Sequence, residues 1–235
     1  MTNLDYLKNL NSEQKKAVIT TDGPLLVVAG AGSGKTRVLT SKIVYLIKEK
    51  KIIPNQILSV TFTNKAASEM QNRVIKMLKS SSKGLPWLGT FHSICAKLLR
   101  KHARSVGLNS NFTIIDTDDQ VRLIKNICKS ENIDTKKLSP KVILSIIDRW
   151  KNKGYYPEKV IINKKDIYEK TILPIYKIYQ KKLLDLNACD FGDLILHCVE
   201  MLEKDTGIRE IYTNNFKYIL VDEYQDTNFI QGKWL

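Results

Sequence analysis

An apolar run, Leu25-Leu26-Val27-Val28, leads directly into Ala29-Gly30-Ala31-Gly32-Ser33-Gly34-Lys35-Thr36. A helical period follows, with Val38, Leu39, Ile43, Leu46 and Ile47 on one side. Strand, glycine-rich turn, Lys-Thr and helix in that order make a phosphate-cradling loop. Glycines let successive backbone N–H groups turn inward, and the helix N-terminus adds free N–H groups and partial positive charge. Lys35 is expected to reach the outer phosphates of a nucleotide and Thr36 to place its hydroxyl on Mg²⁺. Ala29, six positions before Lys35, stands where the strict pattern has glycine. The competing reading is a merely structural glycine turn, and the flanking strand and helix patterns argue against it.

A partner for this loop lies far downstream. Tyr218-Ile219-Leu220-Val221 is a short apolar run that ends in Asp222-Glu223. An acidic pair at the carboxyl end of a buried strand can hold Mg²⁺ through Asp222. Glu223 can then orient or deprotonate an attacking water. An acidic strand exit is common by itself. It gains weight only beside the loop at Lys35.

Charge suggests a second ligand. The chain has 38 basic and 24 acidic residues, net +14. Residues 1–107 carry +13 of this, residues 108–190 carry +5, and residues 191–235 carry −4. Such an excess on the segment with the phosphate loop points to a polyanion larger than a nucleotide. General lysine richness is the plainer explanation. No apolar run approaches membrane length, and no basic stretch with an apolar core opens the chain, so neither a membrane span nor a secretory signal is expected. Cys95, Cys128, Cys189 and Cys198 with His92, His102 and His197 show no zinc spacing. They read as free thiols of a reducing cytoplasm.

Along the chain, Leu10 to Val18 suggests a short helix. Ile57–Phe62 reads as a buried strand, followed by a helix with Asn64 as its cap. Ser80-Ser81-Ser82-Lys83-Gly84 reads as a loop, and Trp87–Phe91 as a third strand before a helix. On that helix Lys97, Arg100, Lys101 and Arg104 form a basic stripe at i, i+3, i+4 and i+7. From about residue 108 the pattern becomes mainly helical after a short strand at Phe112–Ile115. Ser139-Pro140 is a cap followed by proline at the first helical position. Two more helices are expected, from Tyr168 to Leu186 and from Asp190 onward. Apolar strands alternating with helices imply an α/β fold with a parallel sheet covered on both faces. Ligands of such sheets bind beyond the carboxyl ends of the strands. The phosphate loop, Thr61-Phe62-Thr63, Thr90-Phe91-His92 and Asp222-Glu223 all fall at such ends.

Taken together, these residues resemble the first motor domain of the UvrD/Rep/PcrA type of superfamily 1 DNA helicase, over the whole chain and in the family's order. The resemblance implies a RecA-like phosphate-loop domain from residues 1–107 and 191–235, with a helical insert at 108–190. Leu10-Asn11-x-x-Gln14 is similar to the adenine-reading motif, so Gln14 would bond the base of ATP and Arg37 would lie along it. The nucleotide contacts implied are Gln14, Ala29, Gly30, Ala31, Gly32, Ser33, Gly34, Lys35, Thr36 and Arg37. Thr61 to Met70 resembles a single-strand-binding motif in which Phe62 stacks on a base, beside Thr63 and Asn64. Gly89-Thr90-Phe91-His92-Ser93 resembles the next part of that DNA track, with Thr90 and His92 facing the strand. The basic stripe Lys97, Arg100, Lys101 and Arg104 would contact its phosphates. Asp190-Phe191-x-Asp193-Leu194 resembles the return from the insert, whose own basic residues would suit duplex DNA. Asp222-Glu223-Tyr224-Gln225-Asp226-Thr227-Asn228 is similar to the family's Mg²⁺ and base motif, with Lys35, Asp222 and Glu223 as the catalytic set and Thr36 and Asp222 on the metal. Phe62 as a core phenylalanine and His92 as a structural histidine are the alternatives without the family pattern.

Leu235 follows Asp226 by nine residues. The family's second motor domain, with its γ-phosphate arginines, is therefore an expected partner in cis or trans. Residues 1–235 alone are not expected to unwind DNA. A stand-alone phosphate-loop ATPase or small kinase, with residues 108–190 as a lid, is the rival reading. It leaves Phe62 and the Asp222-to-Asn228 string unexplained. A non-functional remnant is the third.

Overall fold

The computed structural model describes residues 5–30, 32–79, 85–162 and 167–235. Ala31 and the loop reading for Ser80 to Gly84 lie outside the described residues. In chain order the helices are α1 (Ser12–Ile19), α2 (Lys35–Lys48), α3 (Asn64–Leu78), α4 (Phe91–His102), α5 (Thr117–Ser130), α6 (Pro140–Asn152), α7 (Ile167–Asp185), α8 (Phe191–Lys204), α9 (Thr206–Asn215) and α10 (Phe229–Trp234). The strands are β1 (Ile57–Thr61), β2 (Leu88–Thr90), β3 (Thr113–Ile114), β4 (Ala188–Cys189) and β5 (Tyr218–Val221). Among the described residues no helix is long and apolar enough to cross a membrane. The chain packs as two compact units, Met1–Ile94 with Glu210–Asp226, and Cys95–Arg209 with Thr227–Leu235.

The first unit is built on a three-stranded parallel sheet of order β2-β1-β5. β1 is central and wholly buried, Ser59 and Thr61 included, as the middle strand of a covered parallel sheet. Ile43, Val44 and Leu46 of α2 and Val74 of α3 pack with Ile57 of β1. Trp87 meets Tyr212 and Phe216 edge-on, at 6.0 and 5.4 Å between centroids. Its indole N–H donates to Asn55 Oδ1 at 2.9 Å.

Several sequence expectations need correction here. Leu25-Leu26-Val27-Val28 is not a strand: it joins no ladder and is exposed, Leu26 by 72% and Val28 by 87%. Apolar content by itself does not make a strand, because backbone pairing must come from a neighbour. β5 is not fully buried either. It pairs with β1 on one side only, and Ile219 is 45% exposed. The cap of α3 is Thr63, whose hydroxyl accepts the Ala66 N–H at 3.1 Å, so Asn64 is the first helical residue. Phe91 starts α4 and does not end β2. α9 and the two-residue β4 were not anticipated; two residues are too few to show a period.

The second unit is mainly helical. Asp116 caps α5 and Ser139 caps α6 ahead of Pro140. Ile124, Ile127, Ile143, Ile147, Trp150 and Tyr176 are among the residues of its core. β3 and β4 form a short parallel pair, Thr113 opposite Ala188 and Ile114 opposite Cys189. α8 opens with a reciprocal capping box between Asp190 and Asp193. Lys151 of α6 is fully buried against that box, with Nζ 2.5 Å from Asp190 Oδ2 and 2.7 Å from Asp193 Oδ1. A Cβ at Gly192 would lie 2.9 Å from Lys151 Cδ, so the glycine makes room for this lysine. α10 is anchored by Trp234, whose indole N–H reaches Cys198 Sγ at 3.2 Å.

Candidate nucleotide site and nucleic-acid face

The phosphate loop closes onto α2. Gly32 and Gly34 take left-handed φ values of 74° and 89°, conformations that side chains disfavour, and Gly34 is the N-cap of α2. Lys35 is half-buried, with Nζ donating to the carbonyls of Ala29 at 3.1 Å and Gly30 at 3.2 Å. These bonds hold the ammonium at the mouth of the loop. Thr36 follows in the first turn of α2, and its carbonyl accepts the Thr40 hydroxyl at 2.9 Å. Gln14 enters from α1. Its side chain completes a capping box with Asn11 and donates to the Ser33 carbonyl at 2.8 Å.

The acidic pair sits at the carboxyl end of β5. Asp222 is buried, and its N–H donates to the Val60 carbonyl at 2.9 Å, which extends the ladder by one residue. Burial raises the pKa of Asp222, and the neighbouring Glu223 charge adds to this. Lys35 and a hydrogen bond with Thr61 pull in the opposite direction. The Lys35 charge thus reaches Asp222, although the loop before it follows no strand. Glu223 has φ 51°, a left-handed backbone that is uncommon for a glutamate and concentrates at functional sites. The Gln225 amide donates to Glu223 Oε2, and the Asp226 N–H closes a turn onto the Glu223 carbonyl at 3.0 Å. Gln225 belongs to the Asp222-to-Asn228 string, yet no sequence signal assigned it this contact.

Arg37 is exposed and lines a cleft of about 520 Å³ together with Asn9, Thr40, Ser41, Arg73 and Lys76. Arg73 was not anticipated. Its place beside Arg37 arises from the packing of α3 on α2 and has no local sequence signature.

In the first unit, Phe62, Thr63 and Asn64 follow β1, Thr90 ends β2, and His92 lies two residues further on. Phe62 is half-buried and leans on buried Phe91, 5.4 Å between ring centroids. Thr63 and Asn64 are exposed, whereas Thr90 is buried. His92 is half-buried, and burial lowers its pKa, so the neutral ring is favoured. Lys97, Arg100, Lys101 and Arg104 belong to the second unit. All four are exposed; Arg104 falls in the 3-10 turn after α4. Arg100 is committed to its surroundings: it donates to the Ser110 carbonyl at 3.1 Å and lies 4.7 Å over the Phe112 ring. Arg100, Lys101 and Arg104 line a concavity of about 380 Å³.

Residues 10–235 match the family model for the UvrD/REP helicase N-terminal domain. The chain is 46% identical to a probable DNA helicase II homolog of Rickettsia conorii, with 100% of the chain aligned to 36% of that protein. It is 47% identical to an ATP-dependent DNA helicase PcrA of Staphylococcus epidermidis, 96% of the chain against 31% of that protein. A DNA helicase II of Rickettsia typhi is also 47% identical, again covered over 36% of its length. The chain thus spans about a third of the length of these relatives. With a match over nearly all of its residues, and with the phosphate loop and acidic pair in the family's order, the chain belongs to the UvrD/REP helicase N-terminal domain family.

Proposed function

We propose that residues 1–235 are the ATP- and DNA-binding part of an ATP-dependent 3'-5' DNA helicase of the UvrD/Rep type, acting in repair or replication in the cytoplasm. The observation that carries this reading is a single unit that holds both the glycine turn capping α2 before Lys35 and Asp222-Glu223 at the carboxyl end of β5. Its oxygen donors suit a hard divalent cation: a buried carboxylate at Asp222, and the Thr36 hydroxyl at the start of α2. Thr36 and Asp222 would hold Mg²⁺, which would supply positive charge against that of the phosphates. The loop N–H groups and Lys35 bind and orient the phosphates, Gln14 and Arg37 the base. Glu223, steadied by Gln225, orients the attacking water.

Single-stranded DNA is assigned to Phe62, Thr63, Asn64, Thr90 and His92, with phosphate contacts from the stripe on α4. Phe62 is only half-buried, and stacking of a base on its ring would be worth about 1–3 kcal/mol. Duplex DNA is assigned to the basic residues of 108–190. In functional terms the motor domain comprises 1–107 and 191–235, although α8 packs with the helical unit.

Isothermal calorimetry tests the nucleotide site. Mg-ATP should bind wild type weakly, because a second motor domain supplies part of the family's cleft, and Lys35→Ala should abolish the heat. Equal affinity in both proteins would remove the site assignment. A thermal shift with Mg-ATP argues against a remnant, and DNA binding argues against a small kinase.

A further inference from the structure

Gln14 stands where α1 meets the phosphate loop, and both ends of its amide are engaged. Oε1 accepts the Asn11 N–H at 3.0 Å, and Nε2 donates to the Ser33 carbonyl at 2.8 Å. A primary amide has two acceptor lone pairs and two N–H donors. One of each is used here and one of each remains. The remaining pair is what an adenine edge, with its N6–H and N7, requires of a glutamine. Base reading and the bond to Ser33 therefore do not compete.

The bond to Ser33 has a geometric effect on the loop. The Ser33 carbonyl and the Gly34 N–H belong to one planar trans peptide and point in opposite directions. Holding the carbonyl toward α1 turns the Gly34 N–H the other way, away from the Gln14 amide. Gly34 itself has φ 89°, and a Cβ there would lie 3.2 Å from Gln14 Nε2. The amide thus lies against the loop backbone just before Lys35.

We propose that Gln14 is a positioning residue for the phosphate loop. By holding the Ser33 carbonyl it aims the Gly34 N–H at the phosphate chain, independently of any base. The proposal rests on the phosphate-loop reading of Lys35, and the experiment separates the two.

Inorganic tripolyphosphate with Mg²⁺ is the probe, since it has phosphates and no base. Calorimetry on the full 235-residue chain should show Gln14→Ala binding tripolyphosphate roughly fivefold more weakly than wild type, the range expected for one hydrogen bond. Unchanged affinity would overturn the proposal and leave Gln14 as a base reader alone. Asn11→Ala removes the side-chain cap of α1 but leaves the Ser33 bond, and its affinity should stay at the wild-type level. A fall as large as that of Gln14→Ala would assign the effect to helix capping and also overturn the proposal. Gln14→Leu retains bulk and replaces the alanine variant if that protein melts early; the same fivefold loss is expected. Lys35→Ala is the separate control. If it binds tripolyphosphate as wild type does, the phosphate-loop reading fails on its own account.

Discussion

At the residue scale, a buried ion cluster centres on Lys151 in the second unit. Burial disfavours the charged form of Lys151, but Asp190 and Asp193 outweigh it and raise its pKa, so the ammonium stays protonated. Tyr179 donates to Asp190 Oδ2 at 2.9 Å, and Gln180 Nε2 to Asp193 Oδ1 at 3.0 Å. Two carboxylates face one ammonium, and Asp148 of α6 adds a third. Its pKa is pushed up to about 6, first by burial, then by Asp190, with Lys151 opposing and Asp193 adding. Tyr176 and Tyr179 of α7 also face this cluster and remain neutral, their pKa values raised by burial and by the same carboxylates. The native state therefore binds the Asp148 proton more tightly than the unfolded chain, whose carboxyl titrates near its ordinary value. Its contribution to stability is full at low pH and is lost as pH rises from about 4 to about 6. Asp148→Asn should stabilise the protein by about 1–2 kcal/mol at pH 7.5 and by little at pH 4.5. Urea melts at the two pH values check this; an equal gain at both would refute the assignment.

At the element scale, α4 and the turn after it carry the basic stripe proposed to contact nucleic-acid phosphates. Helical spacing placed four cations on one stripe, but their surroundings differ. Arg100 bonds Ser110 and covers Phe112, so its truncation should cost stability. Lys97 has its pKa lowered by burial and by nearby Lys101. Lys101→Ala and Arg104→Ala should each weaken single-strand binding uniformly across sequences. Each should also reduce the salt slope by about 0.7, the value for one released counterion on a single strand. Fluorescence anisotropy with short oligonucleotides across a salt series measures both. An unchanged slope, or a strong base preference, would show that these residues do not contact phosphate. Helix caps were partly legible, because a cap is a local bond between neighbours in sequence: Ser139 stands one residue before α6 as expected, whereas α3 is capped by Thr63 and not by Asn64. Strand pairing was less legible. Leu25 to Val28 and Tyr218 to Val221 are equally apolar, yet only the second finds a ladder.

At the scale of the whole molecule, one phosphate loop and one acidic pair serve a chain about a third as long as its relatives. On the proposed reading, unwinding would need a second motor domain besides the one assigned to these residues. Residues 1–235 supply one such set of motifs. An arginine placed on the γ-phosphate is worth about 10³–10⁵ in rate in phosphoryl transfer, and no basic residue here stands in a motif with that role. The purified 235 residues should therefore hydrolyse ATP slowly and fail to separate a tailed duplex. ATP-driven unwinding that disappears in Glu223→Gln would contradict this, and a strand-separation assay decides it.

What the sequence determined by itself was chemistry carried by short, contiguous spacing. The phosphate loop, the Asp222-Glu223 pair, the helix starts and the basic stripe need only neighbours a few residues apart to be recognised, and a family resemblance ordered them along the chain. Tertiary structure decided whatever depends on residues distant in sequence: the Gln14 bond to Ser33, the field between Lys35 and Asp222, Arg73 in the cleft beside Arg37, and Lys151 buried against the Asp190–Asp193 box. It also left the apolar run before the loop exposed. The physical reason is the same in each case. A motif records which groups a residue carries, whereas burial, pairing and pKa depend on which other groups the fold brings within a few ångströms.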